Sequence, residues 1–376
     1  MDSTTRAAAS LVRCDSYDHA PLREAVTAAL EPFGGIAAFV RPGMRVLLKP
    51  NLLSAKDPAR AITTHPHLVE TVAALVRESG GMPLVGDSPG GAIRGIQRVW
   101  DNTLMSEMAA RAGLELVNFE ASGSEEIEAG GYRFYIARPV LEADLVINLA
   151  KLKTHSLTLM TGAVKNVFGV IPGFRKSEMH KLYPKPAPFA AMLVELYRRV
   201  APALSIVDAV VAMEGNGPSS GEPHHTGLVA AGTDAVAIDA VLAEAIGFRP
   251  GQVDTTRIAS QTGAGVGDLE RIDVAGDAAG TRIEGFSLPS NLKIRLVPSG
   301  LARLVAPLVW LRLEIDRDRC TGCAMCFNSC PVKTIVPDGD RYRVVHDRCV
   351  QCMCCHELCP EKAVEIRLSR LARWIA

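Results

Sequence analysis

Short apolar runs alternate with longer amphipathic segments through residues 1–286. The short runs predict buried strands because they are rich in Val, Ile and Leu and bounded by turn-forming residues; they lie at residues 44–49, 83–87, 114–119, 144–149 and 204–208. The longer segments predict helices at residues 66–76, 94–112, 157–170, 188–200 and 233–246. This alternation predicts an α/β fold with a mostly parallel sheet.

The pattern changes after residue 286. Residues 287–315 are expected to form a linker, and its apolar stretch with interspersed arginines, 301–313, predicts either a helix packed between two domains or a helix lying in a membrane interface. Residues 316–367 carry nearly all the cysteines and predict a small α+β ferredoxin-like domain, and 368–376 form a tail. We therefore expect an α/β domain over 1–286 followed by a smaller second domain.

The charge balance restricts the possible partners. Lys and Arg together number 41, as do Asp and Glu, and aromatic residues make up only 5% of the chain. Nucleic-acid binding normally needs a basic surface and stacking aromatics, so we expect no nucleic-acid partner. The N-terminus lacks a signal-peptide pattern, and no apolar run approaches the roughly 20 residues of a membrane helix. We expect no transmembrane span and a cytoplasmic location.

Nine of the ten cysteines lie between Cys320 and Cys359. They form two runs of the pattern C-x2-C-x2-C-x3-C-P with similar flanking residues, which indicates an internal duplication. This is the spacing of bacterial ferredoxins, in which the fourth cysteine binds the other cluster. It predicts two [4Fe–4S] clusters, one held by Cys320, Cys323, Cys326 and Cys359 and the other by Cys330, Cys349, Cys352 and Cys355.

Alternatives to this interpretation stay open. A pair of zinc sites would also use four ligands each, although zinc ligands are usually spaced as two distant pairs. The clusters could serve structure instead of electron transfer. Cys354 is left over from the two sets, either as a bystander or as a residue with a ligand or redox role.

Polar side chains follow several of the predicted strands, at Lys49, Asn51, Asp87, Lys151, Lys153, His155 and Asp208. Ligands of open α/β sheets bind beyond the carboxyl ends of the strands, so we expect these side chains to share a crevice. Four lysines would make it electropositive and favour a small anionic substrate or cofactor; they are Lys49, Lys151, Lys153 and Lys165. Ordinary surface lysines are the alternative.

Roles can be assigned within this crevice. The catalytic candidates are His155, Lys153 and Asp87, with His155 as the acid–base candidate because imidazole titrates near neutral pH. The substrate-binding candidates are Lys49, Asn51, Lys151, Lys165 and Asn166. The next segment, 171–186, is basic and interrupted by Pro and Gly, so it is either a lid over the site or a solvated connection.

Six segments in this order resemble the domain-of-unknown-function family 362, whose members frequently end in a ferredoxin module. The segments read LLKPNLL, VGDSPGG, INLAKLKTH, TLMTGAVKNVFG, DAVVAMEGNGPSSGEP and DAVAIDAV. The resemblance spans roughly residues 44–245 and implies an architecture more than a substrate. The family is in turn distantly similar to the nickel-pincer lactate racemase group.

These observations favour a reductase that takes electrons from a redox donor protein and passes them to a small anion in the α/β domain. The alternative is an electron-transfer or assembly partner without chemistry of its own, and a cluster-sensing regulator is a third hypothesis. A deep basic pocket would favour the enzyme, and a flat apolar face would favour docking. The sequence leaves the oligomeric state open.

Overall fold

A nine-stranded mixed sheet organises the larger domain in the computed structural model, which describes residues 6–90, 95–289 and 310–370. Its strands are β1 (Ala7–Arg13), β2 (Arg45–Lys49), β3 (Met82–Asp87), β4 (Glu115–Asn118), β7 (Leu145–His155), β8 (Leu159–Thr161), β9 (Leu204–Glu214), β10 (Glu222–Gly232) and β11 (Ile272–Ala275). They run in the order β11-β1-β10-β9-β7-β2-β3-β4, with β8 beside β7. The five neighbours from β9 to β4 are parallel, whereas β10 is antiparallel to both its neighbours and β8 is antiparallel to β7. The mostly parallel α/β fold is confirmed.

Helices cover both faces of this sheet. They are α1 (His19–Leu30), α2 (Pro66–Glu78), α3 (Ile96–Asn102), α4 (Met105–Ala112), α5 (Arg138–Glu142), α6 (Ala163–Asn166), α7 (Arg175–Leu182), α8 (Pro186–Val200), α9 (Ala235–Ala245) and α10 (Asp254–Gln261). Successive side chains of a strand point to opposite faces. Val46 and Leu48 of β2 therefore join one apolar core with Leu68 of α2, and Leu47 joins the other with Phe189 of α8. Strands β5 (Ser124–Ala129) and β6 (Tyr132–Ala137) form a separate hairpin.

Local signals set the ends of α2. The ring of His65 accepts a hydrogen bond from the backbone N–H of His67, and Pro66 occupies the first helical position, where its missing N–H costs nothing. At the other end, Gly80 adopts a left-handed φ of 83°, which favours glycine. The helix therefore presents its N-terminus, and the loop before it, to the carboxyl edge of the sheet.

The helix expected over 157–170 was wrong for most of its length. Leu159–Thr161 is strand β8, and α-helix is confined to Ala163–Asn166. The segment is apolar because it is buried, and periodicity cannot separate buried strand from buried helix in so short a stretch. The strand expected at 144–149 likewise continues to His155, so that Lys151, Lys153 and His155 lie within β7 and not in a loop.

The helix expected over 94–112 is divided in two. Helices α3 and α4 are separated at Leu104, which has a left-handed φ of 59°. The left-handed conformation is uncommon for a residue with a Cβ atom, and no Gly or Pro in the sequence announces it.

The smaller domain is built from two antiparallel pairs of short strands and two short helices. Its elements are β12 (Leu311–Ile315), α11 (Met325–Ser329), β13 (Ile335–Asp338), β14 (Arg341–Val344), α12 (Cys354–Leu358) and β15 (Val364–Leu368). Strand β12 pairs antiparallel with β15, and β13 with β14. The end of the expected linker, 287–315, is therefore a strand of this domain. Most of the stretch 301–313 lies outside the described residues, as does most of the tail after 368.

The duplication seen in the sequence is also present in the backbone. Residues at equivalent positions of the two runs share left-handed φ values, in the pairs Gly322 and Gln351, Ala324 and Met353, and Lys333 and Lys362. No helix in the described parts of the chain combines the length and apolar character that crossing a bilayer requires.

Candidate iron–sulfur centres and a lysine-lined cavity

The smaller domain brings its cysteines together in two sets of four. One cavity is lined by Cys320, Cys323, Cys326 and Cys359, here called quartet A. A second is lined by Cys330, Cys349, Cys352 and Cys355, here called quartet B. In both sets the fourth cysteine of one run joins the first three of the other, which is the crossed arrangement of two-cluster ferredoxins.

The residues around each quartet fit a cubane cluster. The other side chains lining both cavities are mostly apolar, including Ile315 and Val364 around quartet A and Ile335 and Val344 around quartet B. The backbone N–H of Ala363 donates to Cys359 Sγ at 3.2 Å, and that of Thr334 donates to Cys330 Sγ at 3.3 Å. Such N–H donors stabilise the negative charge of ligating sulfur. When bound, [4Fe–4S] clusters supply one-electron redox chemistry.

Buried ion pairs lie at the carboxyl ends of β2 and β3 and within β7 and β9. Lys49 Nζ lies 2.7 Å from Asp87 Oδ1, and Lys151 Nζ lies 2.9 Å from Asp208 Oδ2, with all four side chains buried. The Tyr17 hydroxyl donates to Asp208 Oδ1 at 2.7 Å. Burial lowers the pKa of Lys49 and Lys151, and the facing carboxylates oppose that shift. Each of these lysines is therefore already neutralised by a carboxylate.

Lys153 lacks such a carboxylate contact among the described residues. Its ammonium donates to Asn51 Oδ1 at 2.7 Å and to the carbonyl of Ile62 at 2.6 Å, and both acceptors are neutral. Burial, followed by repulsion from Lys165 and Lys151, lowers its pKa well below the usual range. The Asn51 amide in turn donates to Asn166 Oδ1 at 2.9 Å. Lys153 is thus a desolvated amino group at the centre of a polar network.

A glutamate from the smaller domain reaches this cluster of lysines. Glu357 of α12 is buried, and burial raises its pKa to about 7 although Lys165 and Lys153 oppose the shift. Its Oε1 atom lies 3.4 Å from Nε2 of His155, whose Nδ1 accepts from the N–H of Leu157 at 3.0 Å. The cysteine-bearing helix and the carboxyl end of the sheet are therefore in direct contact.

A cavity of about 70 Å³ lies between the two domains. Its wall on the sheet side includes Asn51, Asp87, Lys165 and Asn166, and its wall on the cysteine side consists of Cys354, Glu357 and Leu358. One water molecule needs roughly 10–15 Å³ of such volume, so the cavity can hold several waters or a small anion.

Helix α7 closes the cavity from a third side. Lys176 donates to the carbonyls of Ser88 and Ile171, each at 2.9 Å, and burial lowers its pKa to about 8. His180 is buried against Phe189, with the ring centroids 4.4 Å apart, and burial lowers its pKa to about 3. The segment 171–186 is therefore packed over the crevice at these residues and is not a solvated connection there, and its role as a lid stays a prediction.

The structure brings all eight residues proposed for the crevice to one edge of the sheet, but at different depths. Four of them line the cavity: Asn51, Asp87, Lys165 and Asn166. The other four lie behind that wall: Lys49, Lys151, Lys153 and His155. His155 faces Glu357 instead of the cavity. Its acid–base role, and the roles of Lys153 and Asp87, stay predictions.

Two residues of the cavity wall, Lys176 and Glu357, were missed by the sequence reasoning. Lys176 lies in the segment identified only as a possible lid. Glu357 could have been found by comparing the two cysteine runs, because the first has Asn328 at the equivalent position. Glu214, at the end of β9, does not line the cavity and pairs with His224 Nδ1 at 2.9 Å.

Comparisons with known proteins agree with both halves of this description. The family model for Domain of unknown function (DUF362) matches residues 46–244, and that for a 4Fe-4S dicluster domain matches residues 312–360. The Thylakoid-associated protein sll1697 of Synechocystis sp. is 40% identical over 248 residues, which cover 65% of this chain and 76% of that protein. The solved lactate racemase apoprotein of Thermoanaerobacterium thermosaccharolyticum gives a TM-score of 0.40 at 14% identity. That match covers 62% of this chain and 56% of the racemase, little more than half its length.

Proposed function

The chain belongs to the family described as Domain of unknown function (DUF362), with a 4Fe-4S dicluster domain suited to iron–sulfur electron transfer, and from this we propose that it is a reductase. In this proposal, electrons from two [4Fe–4S] clusters reduce a small anionic substrate or cofactor in the cavity between the domains. The observation that carries the proposal is the cavity wall, in which Lys165 faces the cysteine-bearing helix α12.

The charges around the cavity support an anionic ligand. Five lysines surround the crevice with four carboxylates near them: Lys49, Lys151, Lys153, Lys165 and Lys176 against Asp87, Glu120, Asp208 and Glu357. The lysines outnumber the carboxylates by one. Burial lowers the pKa of these lysines, and a bound anion would favour their charged form. Lys165 is the candidate to hold the anion, because it lines the cavity. In the described parts of the chain, its ammonium makes no direct contact with a carboxylate.

The position of the cavity supports reduction over simple binding. One wall belongs to the helix between the cluster cysteines, so a bound anion would lie against the electron-carrying domain. The other walls are the sheet edge and α7, whose buried side chains strengthen electrostatic interactions in the cavity. His155 stays the proposed proton donor, and it reaches the cavity side through its contact with Glu357.

The experiment begins with anaerobic purification and a count of iron, sulfide and copurifying small molecules. Two cubane clusters predict about eight irons per chain. The protein is then reduced with dithionite, freed of excess reductant and mixed with the copurifying molecule, or with a panel of carboxylates and phosphate esters. Re-oxidation of the clusters, together with a reduced product, is the expected result.

Variants separate chemistry from nonspecific effects. Lys165→Met should weaken anion binding by at least about tenfold, the equivalent of losing about 1.4 kcal/mol. Lys181→Met, on the exposed side of α7, is the matched control and should bind as the parent protein does. Full binding by Lys165→Met, or clusters that no tested anion re-oxidises, would favour the alternative of an electron-transfer or assembly partner without its own chemistry. The cytoplasmic location stays a prediction beside a relative described as thylakoid-associated.

A further inference from the structure

Cys354 belongs to neither quartet, and it lies in the wall between quartet B and the lysine-lined cavity. On one side it lines the cage of quartet B, where its side chain lies close to that of Cys352. On the other side it lines the cavity, close enough to interact electrostatically with Lys165. One buried thiol therefore contacts both the cluster cage and the site proposed for the anion.

A second contact joins quartet B to the same cavity. His180 of α7 lines the cavity, and its buried ring lies near the backbone of Cys352. The helix that covers the crevice and the helix that bears the cysteines thus meet at one ligand of quartet B.

Quartet A has different surroundings. Among the described residues, its cage shares no lining residue with the cavity. Its Cys323 is exposed, whereas no cysteine of quartet B is. The residue equivalent to Cys354 in the first run is Met325, whose thioether has no proton to donate. The two quartets are therefore distinguished both by their exposure and by the residue placed behind them.

Resting on the reductase function above, we propose that quartet B is the side from which electrons leave for the cavity, and that Cys354 is the positioning residue that couples the two. One electron at a time is lost on the quartet B side and gained by the anion, and a one-electron donor protein replaces it at the more exposed quartet A. Cys354 forms no covalent bond in this role. Its S–H group donates to the Cys352 sulfur, and hydrogen bonds to ligating sulfur raise the reduction potential of a cluster.

The test is a redox titration of the holoprotein, followed by electron paramagnetic resonance so that the two clusters are read separately. Their signals are assigned with Cys323→Ser, which alters quartet A, and Cys349→Ser, which alters quartet B. Lys165→Met removes a positive charge beside Cys354 and should lower the midpoint potential of the quartet B cluster alone. Arg341→Met is the matched control, because Arg341 lies beside the Gly322 turn of quartet A, and it should lower only the other potential.

Cys354 itself is tested with two substitutions. Cys354→Ala removes the S–H donor and should lower the quartet B potential, while Cys354→Ser retains a donor and should restore most of it. Both variants should keep the full iron content, because Cys354 is not a ligand. Iron loss in both variants, or equal shifts of the two clusters in Lys165→Met, would overturn the assignment.

The titration needs no added ligand, so its result is independent of the reductase proposal. If no tested anion re-oxidises the protein but the quartet B potential still shifts in Lys165→Met and Cys354→Ala, the reductase proposal is ruled out and the coupling through Cys354 stands. If an anion re-oxidises the protein but the quartet A potential shifts instead, only the assignment of quartet B is ruled out.

Discussion

The two cysteine runs of the smaller domain share a backbone but differ in what surrounds them. Both place left-handed residues at equivalent positions, and both donate a backbone N–H to the sulfur of their fourth cysteine. In the first run, Phe327 and Asn328 of α11 are exposed; in the second, His356 and Glu357 of α12 are buried against the larger domain. The repeated features are those that a cubane cluster needs. The features that diverged mark the run that joins the cluster domain to the crevice.

The largest expected effect comes from removing one cysteine of each quartet. Cys326→Ala and Cys355→Ala should each reduce the iron content from about eight to about four per chain, since each disables one cubane cluster. Only Cys355→Ala should also abolish binding of inorganic phosphate or another small anion at the cavity, because α12 forms the cavity wall. Iron analysis and calorimetric titration measure the two effects. Equal loss of anion binding in both variants would contradict the division between the runs.

The next comparison introduces a charge at equivalent positions. Glu357→Lys places another cation beside Lys153 and Lys165 in a buried site, and breaking such an arrangement costs about 3–5 kcal/mol. Asn328→Lys adds the same side chain at an exposed position and should change the free energy of unfolding by less than about 0.5 kcal/mol. Urea denaturation followed by tryptophan fluorescence reports both. A small effect at Glu357 would mean that the contact between the domains is not maintained in solution.

The cysteine quartets could be predicted from sequence because their spacing is local and repeated. The parallel sheet also followed from the alternation of strands and helices, and it placed Asn51, Asp87 and Asn166 at one edge correctly. The crevice itself was only partly predictable. Lys165 and Glu357 lie in different domains, and no local pattern joins residues so far apart in the chain. Strand β7 was predicted too short because Lys151 and Lys153 are charged, and charged residues are rarely buried unless they are paired.

A smaller effect is expected from the aromatic residues of the two helices. His356 is buried, with Nδ1 2.7 Å from the Val364 carbonyl and Nε2 3.3 Å from the Asn216 carbonyl. His356→Ala should cost about 2 kcal/mol, because it leaves buried polar groups without their partner and opens a cavity. Phe327 is 37% exposed and stacks on Tyr342 at 5.4 Å. Phe327→Ala should cost about 1 kcal/mol, which the same denaturation experiment would detect.

The smallest expected effect separates backbone strain from contacts between the domains. Lys333 and Lys362 occupy equivalent positions with left-handed φ values of 54° and 52°, a conformation that costs a residue with a Cβ atom about 1–2 kcal/mol. Lys333 is exposed, whereas Lys362 donates to Glu222 Oε1 at 2.6 Å and to the Gly221 carbonyl at 3.0 Å. Lys333→Gly should therefore raise the free energy of unfolding by about 0.5–1 kcal/mol, after allowance for the flexibility that glycine adds to the unfolded chain.

Lys362→Gly removes the same backbone strain but also loses a half-exposed ion pair and a hydrogen bond, each worth about 1 kcal/mol or less. The net change in its free energy of unfolding should therefore be near zero or unfavourable. Lys362→Met loses the contacts but keeps the backbone strain. Comparing its free energy of unfolding with that of Lys362→Gly therefore separates the effect of the strain from the effect of the contacts. Equal stabilisation by both glycines would mean that Lys362 contributes nothing to holding the cluster domain on the crevice.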